Sequence, residues 1–250
     1  MINEKGGAVL IKVFKSIIWV LVLTLILLGV PRLSGMVAGF FDYHVIDPDG
    51  AYAWISVHHI VQALVIMFII IVTNKRKPLE YGFDWGNKNI GRKYVLYFTL
   101  IFGAGALANH LLAIFTNSFQ QFGYPLTITN IIGQLGFQLF LSGPSEELIF
   151  RAFAITMLAL VIKTRIINGK TSAANIIAAV IFGLAHMSFS FAPFAVSYDP
   201  FQMVLSIVLG FFYGDCYEKS GSVYYPMMMH SISNVIMVGL TIAATFISGS

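Results

Sequence analysis

Charged residues are scarce in this sequence: Asp, Glu, Lys and Arg make up 10% of its 250 residues. A soluble domain of similar length carries about a quarter charged residues, so a soluble globular fold is excluded as the main architecture. The single cysteine, Cys216, rules out an intramolecular disulfide and a multi-cysteine metal site. The net charge is +4, and no basic domain or basic face with interleaved aromatics is evident, so nucleic acid is not an expected partner.

Long apolar runs account for the missing charge. Hydrophobic residues make up 58% of the chain, and the mean hydropathy is +0.82. This composition predicts an all-α polytopic membrane protein, a single transmembrane domain over 1–250, with a bundle of about seven (seven to eight) helices. Each predicted span can cross a hydrocarbon core of about 30 Å at a rise of about 1.5 Å per residue. The seven spans are 13–33, 52–74, 93–116, 128–162, 173–193, 201–217 and 222–247.

The basic residues predict how the bundle is oriented. Thirteen of the fifteen Lys and Arg residues lie on one side of the predicted bundle, near the N-terminus and in or beside alternate loops, whereas Arg32 is alone on the opposite side and Arg151 lies within the membrane. Cytoplasmic loops collect Lys and Arg. We therefore expect a multi-pass protein of the cell membrane, in contact with the lipid bilayer, with its N-terminus in the cytoplasm and its C-terminus outside.

The fourth predicted span is too long for a simple crossing. A helix over 128–162 would extend about 52 Å. Gly143-Pro144 lies inside it, and a proline ring breaks the preceding helical turn but suits the first turn of a new helix. We therefore expect the fourth helix to be broken near Gly143-Pro144, with a second helix beginning at Ser145-Glu146-Glu147. A broken helix at membrane depth is tolerated where it lines a cavity, so the break points to a site.

Several ionisable side chains fall at membrane depth, where a charge costs at least about 2.5–3.5 kcal/mol. Arg151 follows Glu147 by four residues, so the two share a helical face and an ion pair is expected. Glu146 is then left for chemistry or for a histidine. The full set is Glu146, Glu147, Arg151, His186 and His230.

The other polar and small residues of the spans either share a helical face or are assigned to packing. His230 and Asn234 are four residues apart and project from one face of the last helix. Gly210-x-x-x-Gly214 is interpreted as a close-packing face. Three histidines of the second and third spans are interpreted as packing or interface groups: His58, His59 and His110.

Three motifs in this sequence resemble those of the CPBP family, the CAAX-prenyl-protease and bacteriocin-processing proteins, also called the Abi family. The order and spacing of the motifs match, and the motif-bearing core covers about 128–240. The first three spans resemble the family only in being apolar. The motifs are Glu146-Glu147-x-x-x-Arg151, Phe182-x-x-x-His186 and His230-x-x-x-Asn234.

The resemblance implies an intramembrane protease in which Glu146 and His186 activate a water molecule. His230 and Asn234 would then hold the oxyanion. Physical chemistry agrees, because a glutamate in low-dielectric surroundings is a stronger base, and polar donors aimed at a developing oxyanion stabilise acyl-transfer transition states. Glu147 is either a direct participant or the structural partner of Arg151. Arg151 and Phe182 are supporting residues.

The same residues leave a metal alternative open. Two histidines and a glutamate can bind zinc, and the ligands would be Glu146, His186 and His230. The His-Glu-x-x-His spacing of many zinc proteases is absent. We favour a glutamate mechanism without a cofactor and keep zinc as the alternative.

The leading hypothesis is therefore an intramembrane endopeptidase that hydrolyses a peptide bond in a peptide precursor or a membrane protein. The alternative is a non-proteolytic membrane scaffold or bacteriocin-immunity protein on the same fold. A proton-coupled transporter fits less well, because it predicts an internal repeat with paired broken helices, and a single break is predicted here. The sequence contains no signal for an oligomeric state.

Overall fold

The chain folds almost entirely into helices, as the composition predicts. The structure, a computed structural model, describes residues 4–166, 169–191 and 194–248. Three long helices come first: α1 (Glu4–Ala38), α2 (Ala53–Arg76) and α3 (Lys88–Phe115). Four short pairing segments form two antiparallel hairpins: β1 (Arg165–Ile166) with β2 (Thr171–Ser172), and β3 (Ser188–Phe191) with β4 (Phe194–Ser197). The remaining helices are α4 (Ile128–Phe137), α5 (Gly143–Glu147), α6 (Ala154–Leu158), α7 (Ala173–Ala185), α8 (Pro200–Ser220) and α9 (Tyr224–Ser248).

Four of the described helices are long and apolar enough to cross a membrane. They are Val9–Ala38, Ala53–Arg76, Lys88–Phe115 and Tyr224–Ser248. Their surfaces carry many exposed large hydrophobic side chains, which suit lipid as the surrounding solvent. The predicted all-α membrane protein is confirmed at this level, and the count of seven crossings remains a prediction.

Helical backbone runs from residue 128 to residue 158 without interruption. Two π-helical stretches, Gln138–Ser142 and Leu148–Phe153, flank α5. Gly143 has φ −55° and ψ −55°, which is helical backbone, so the irregularity near the predicted break at Gly143-Pro144 is a change from π-helix to α-helix. Pro144 is accommodated because it opens α5 directly after a wider π turn, where its missing N–H and its ring disturb no regular α-helical hydrogen bond.

The fifth predicted span ends earlier than expected. α7 stops at Ala185, and its 13 residues extend about 20 Å, less than a hydrocarbon core of about 30 Å. The following Ser-Phe-Ser-Phe alternation has the period of a strand and forms β3. The continuous helix predicted over 173–193 is therefore wrong beyond residue 185, and its last two residues lie outside the described part of the chain.

The α5–α6 stretch lies at the centre of the bundle. It is in contact with α1, α2, α7 and α9, and the π-helical turn between α5 and α6 also meets α8. Its apolar residues from Leu148 to Leu158 are buried. Small residues let the surrounding helices approach closely: a Cβ atom at Gly214 would overlap the side chain of Asn175 on α7. The close-packing role predicted for Gly210-x-x-x-Gly214 is confirmed at the α7–α8 contact.

The loop before α2 is organised by one buried carboxylate. The two oxygens of Asp47 accept hydrogen bonds from the backbone N–H groups of Ala51, Tyr52 and Ala53 at 2.7–2.8 Å. Burial acts to raise the pKa of Asp47, but the three N–H donors outweigh it and hold the pKa below its usual value. Asp47 therefore supplies acceptors to the unpaired N–H groups at the start of α2.

Replacing Asp47 by Ala is expected to destabilise the protein by about 1–2 kcal/mol near neutral pH, because three N–H groups lose their acceptor. The folded-state pKa is depressed, so the stabilisation is present above the unfolded pKa and lost as the pH falls through the folded one. Unfolding of the wild type and the variant in detergent should therefore differ at pH 7 and converge below about pH 4. A difference that does not shrink at acid pH would contradict this role.

Candidate active site

The predicted ionisable residues meet where α5 packs against α9. A Cβ atom on Gly143 would lie 2.7 Å from Ser231 Oγ, so only glycine allows this close approach of the two helices. The approach brings His230, one residue before Ser231, level with Glu146 and Glu147. The sequence motifs at these positions are therefore joined in space by a helix contact that needs a small residue.

Glu147 is the innermost member of the cluster, with 0% of its surface exposed. Its Oε2 atom lies 3.0 Å from Arg151 Nε, so the predicted ion pair is present. Its Oε1 atom accepts a hydrogen bond from His230 Nδ1 at 2.8 Å. A carboxylate oxygen accepts, so this bond fixes the His230 ring with a proton on Nδ1 and with Nε2 directed to the other side.

Arg151 is itself enclosed by groups that tolerate a buried cation. Its guanidinium carbon lies 4.6 Å from the centre of the Phe182 ring and 5.4 Å from that of Tyr213, and Nη2 donates to the Gly210 carbonyl at 3.3 Å. Faces of aromatic rings attract cations, most strongly away from water. This contact gives a physical reason for Phe182 in the second motif.

Glu146 differs from its neighbour because 20% of its side chain is exposed. Its Oε2 atom lies 3.9 Å from His230 Nε2, and its Oε1 atom lies 4.0 Å from His59 Nε2. Both separations exceed a direct hydrogen bond and suit polar atoms that share a water molecule. Of the two adjacent glutamates, Glu146 is thus the one that a reactant can reach.

His186 follows the last residue of α7, where the helix gives way to the β3–β4 hairpin. Its Nδ1 atom donates to the Phe182 carbonyl at 2.9 Å, and its ring meets the Phe182 ring edge-on at 4.9 Å. A neutral ring therefore has the lone pair on Nε2. Neither nitrogen comes within 4.0 Å of a Glu146 oxygen in the described structure, so His186 shares the electrostatic surroundings of Glu146 without touching it.

Asn234 lies one helical turn beyond His230 on α9. Its Nδ2 atom donates to Ser142 Oγ at 3.0 Å, at the end of the first π-helical stretch. An amide nitrogen carries two N–H groups, and this bond uses one of them. The contact holds the amide beside the turn that precedes Glu146.

His59 is the site residue that the sequence interpretation missed. It was assigned to packing, yet its Nε2 atom faces Glu146 from α2. The opposite ring nitrogen, Nδ1, lies 2.7 Å from Ser145 Oγ and 3.0 Å from Gln62 Nε2. The available signal was the pair of polar residues His59 and Gln62, three apart in an apolar run, because polar groups at membrane depth mark functional surfaces. His110, by contrast, has a packing role and bonds to Ala106 O and Thr241 Oγ1.

The same geometry bears on the zinc alternative. Among residues 4–166, 169–191 and 194–248, no group of three His, Cys, Asp or Glu side chains is arranged to hold a metal ion. The ligand set named for zinc, Glu146, His186 and His230, is therefore not gathered around one point, and these three side chains as arranged do not fit a zinc ion.

Replacing Arg151 by Ala should destabilise the protein by about 3–5 kcal/mol, because the Glu147 carboxylate stays buried without its counter-charge. The double variant Arg151→Ala/Glu147→Gln removes both charges and should be more stable than the single variant. Unfolding midpoints in detergent measure both effects. A double variant no more stable than Arg151→Ala would show that the ion pair is not what satisfies Glu147.

Comparison with protein families gives a match over the motif-bearing part of the chain. Residues 128–236 match the family described as Rce1-like, type II CAAX prenyl endopeptidase Rce1-like. Comparison with curated proteins and with solved structures gave no match. The matched segment contains all three motifs and every site residue described above except His59 and Gln62. The match over residues 128–236 is to a family of CAAX-type proteases, which confirms the resemblance to the CPBP family.

Proposed function

We propose that this protein is an intramembrane endopeptidase that hydrolyses a peptide bond in a membrane-associated peptide or protein. The observation that carries the proposal is Glu146: a partly exposed carboxylate inside a helix bundle, with an imidazole facing each of its oxygens. The family match over residues 128–236 supports the same reaction class. The chemistry uses carboxylate, imidazole and amide groups, and it needs no serine or cysteine nucleophile.

Glu146 is the base in the proposed mechanism. A water molecule held at its carboxylate loses a proton to it as the water oxygen attacks the carbonyl carbon of the scissile peptide. His186 offers a lone pair on Nε2, because its Nδ1 proton is held by the Phe182 carbonyl, and it orients the same water. The proton on Glu146 then passes to the leaving nitrogen as the C–N bond breaks, which gives a carboxylate and an amine.

His230 and Asn234 are the proposed oxyanion donors. Glu146 and Glu147 carry two negative charges against the one positive charge of Arg151, so one proton on a nearby imidazole makes the buried cluster neutral. A proton on His230 Nε2 gives a donor on the side away from Glu147. The second N–H of Asn234, one turn further along α9, adds another donor, and such groups are commonly the largest contribution to acyl-transfer catalysis.

An apolar cavity beside the site supports a membrane-associated substrate. Its volume is about 420 Å³, and His59 and Ser145 form its polar end. The remaining walls are mostly apolar side chains of α2, α9 and the helix over 128–158. An apolar segment of a polypeptide can occupy it and place a neighbouring peptide bond near Glu146.

The location that fits this activity is the cell membrane, with the N-terminus in the cytoplasm and the C-terminus outside. The support is the concentration of Lys and Arg in the first turns of α1 and in or beside alternate connections between helices.

Glu146→Gln and His186→Ala are expected to lower the rate of peptide cleavage by about 100-fold or more, because each removes a group that activates water. Reconstituted protein should be assayed with an unmodified apolar peptide and with a prenylated C-terminal peptide, which also separates the two substrate classes. His110→Ala is the matched control, a buried histidine outside the site. Full activity in both site variants would rule out the mechanism and favour a non-proteolytic scaffold or immunity protein, whose phenotype should survive the same substitutions.

A mechanism that uses only side chains predicts that chelators leave cleavage unchanged. Purified protein should be treated with EDTA or 1,10-phenanthroline, dialysed and assayed, with its metal content measured in parallel. Loss of activity that zinc restores would contradict the proposal and support the Glu146, His186 and His230 ligand set.

A further inference from the structure

His59 lies outside the segment that matches the Rce1-like family, yet it makes one of the two imidazole contacts of Glu146. His230 reaches Glu146 Oε2 from α9, and His59 reaches Oε1 from α2. The carboxylate thus lies between two rings supplied by different parts of the chain. His59 therefore either serves packing or helps to set the orientation of the Glu146 carboxylate.

The His59 ring is held in one orientation by a buried polar network. Gln62 Nε2 lies 3.0 Å from His59 Nδ1 and 2.9 Å from Ser145 Oγ, and Ser145 Oγ lies 2.7 Å from the same ring nitrogen. The Phe137 ring meets the imidazole edge-on with its centre 4.9 Å away. Ser145 directly precedes Glu146, so the network ties α2 to the residue beside the base.

The carboxylate of Glu146 favours one tautomer of the His59 ring. The tautomer with its proton on Nδ1 would place a lone pair on Nε2 toward the carboxylate, which is electrostatically unfavourable. With the proton on Nε2, the atom 4.0 Å from Glu146 Oε1, the lone pair on Nδ1 can accept from Gln62 Nε2.

A comparison with His110 separates the two roles. The nitrogens of His110 bond to the Ala106 carbonyl and to the Thr241 hydroxyl, as expected of a histidine that serves packing. His59 satisfies only Nδ1 in this manner and turns Nε2 to the one partly exposed carboxylate of the cluster.

We propose that His59 is a positioning residue of the active site, which directs its Nε2–H to Oε1 of Glu146 and leaves Oε2 for the water beside His230. The proposal rests on the endopeptidase function above. The donor fixes the rotation of the carboxylate and supports its negative charge before the reaction, and Gln62 and Ser145 keep the donor in place. The His59–Glu146 interaction can be direct or can pass through a water molecule. In either case it occupies Oε1, so Oε2 is the oxygen that acts as the base.

The test compares His59→Ala and His59→Gln with His110→Ala in the peptide-cleavage assay. His59→Ala should lower kcat by about 10- to 100-fold, the effect of losing one hydrogen bond to a charged group, and should leave KM within about threefold. His59→Gln restores an N–H at similar reach and should recover a large part of kcat. His110→Ala should leave kcat per folded molecule unchanged.

Two further measurements separate this proposal from the proposed function and from simple misfolding. An active wild type with an inactive Glu146→Gln variant upholds the function. Unchanged kcat in His59→Ala, or a kcat loss that His59→Gln does not relieve at equal folded fraction, then overturns the positioning role alone.

If no tested peptide is cleaved, a double-mutant cycle on unfolding midpoints with His59→Ala and Glu146→Gln tests the His59–Glu146 interaction directly. Non-additive changes support the His59–Glu146 interaction, and additive changes overturn it.

Discussion

The buried carboxylate of Glu147 is the constraint on which the rest of the site depends. A charge that is fully removed from solvent is tolerated only with a counter-charge and hydrogen bonds. Arg151 supplies the first, and His230 supplies the second from another helix. Arg151 in turn needs the Phe182 ring and the Gly210 carbonyl, so one carboxylate joins the central helix to α7, α8 and α9.

The two adjacent glutamates have different roles because successive helical residues point about 100° apart. Glu147 points into the bundle and meets Arg151, whereas Glu146 points to the side where a fifth of its surface is exposed. The Glu147 carboxylate therefore orients His230, whereas the Glu146 carboxylate is accessible from outside the cluster. Helix geometry alone thus makes one of two identical side chains an enclosed carboxylate and the other an accessible one.

Small residues and π-helical turns set the positions of the polar side chains in the site. Gly143 allows α9 to approach α5, and Gly210 leaves room for the guanidinium of Arg151 beside Phe182. The π-helical stretches before and after α5 absorb Pro144 without interrupting the helix. Distortions of this kind are common where a helix carries chemistry, because they change the direction of side chains within one turn.

The sequence by itself determined the helical membrane architecture, the polar residues of the three motifs and the pairing of Glu147 with Arg151. These follow from local properties: hydropathy, the cost of a buried charge, and the four-residue spacing of a helical face. The helix predicted over 173–193 was wrong beyond residue 185, because apolar content was given more weight than the strand-like alternation of Ser188–Phe191. The irregularity predicted near Gly143-Pro144 takes the form of a π turn, a distinction that apolar content and proline position do not make. Only the tertiary structure decided that His59 meets Glu146 and that His230 is fixed by Glu147. Both contacts join helices far apart in the chain, and Gly143 lets α9 pack close enough to α5 for the second.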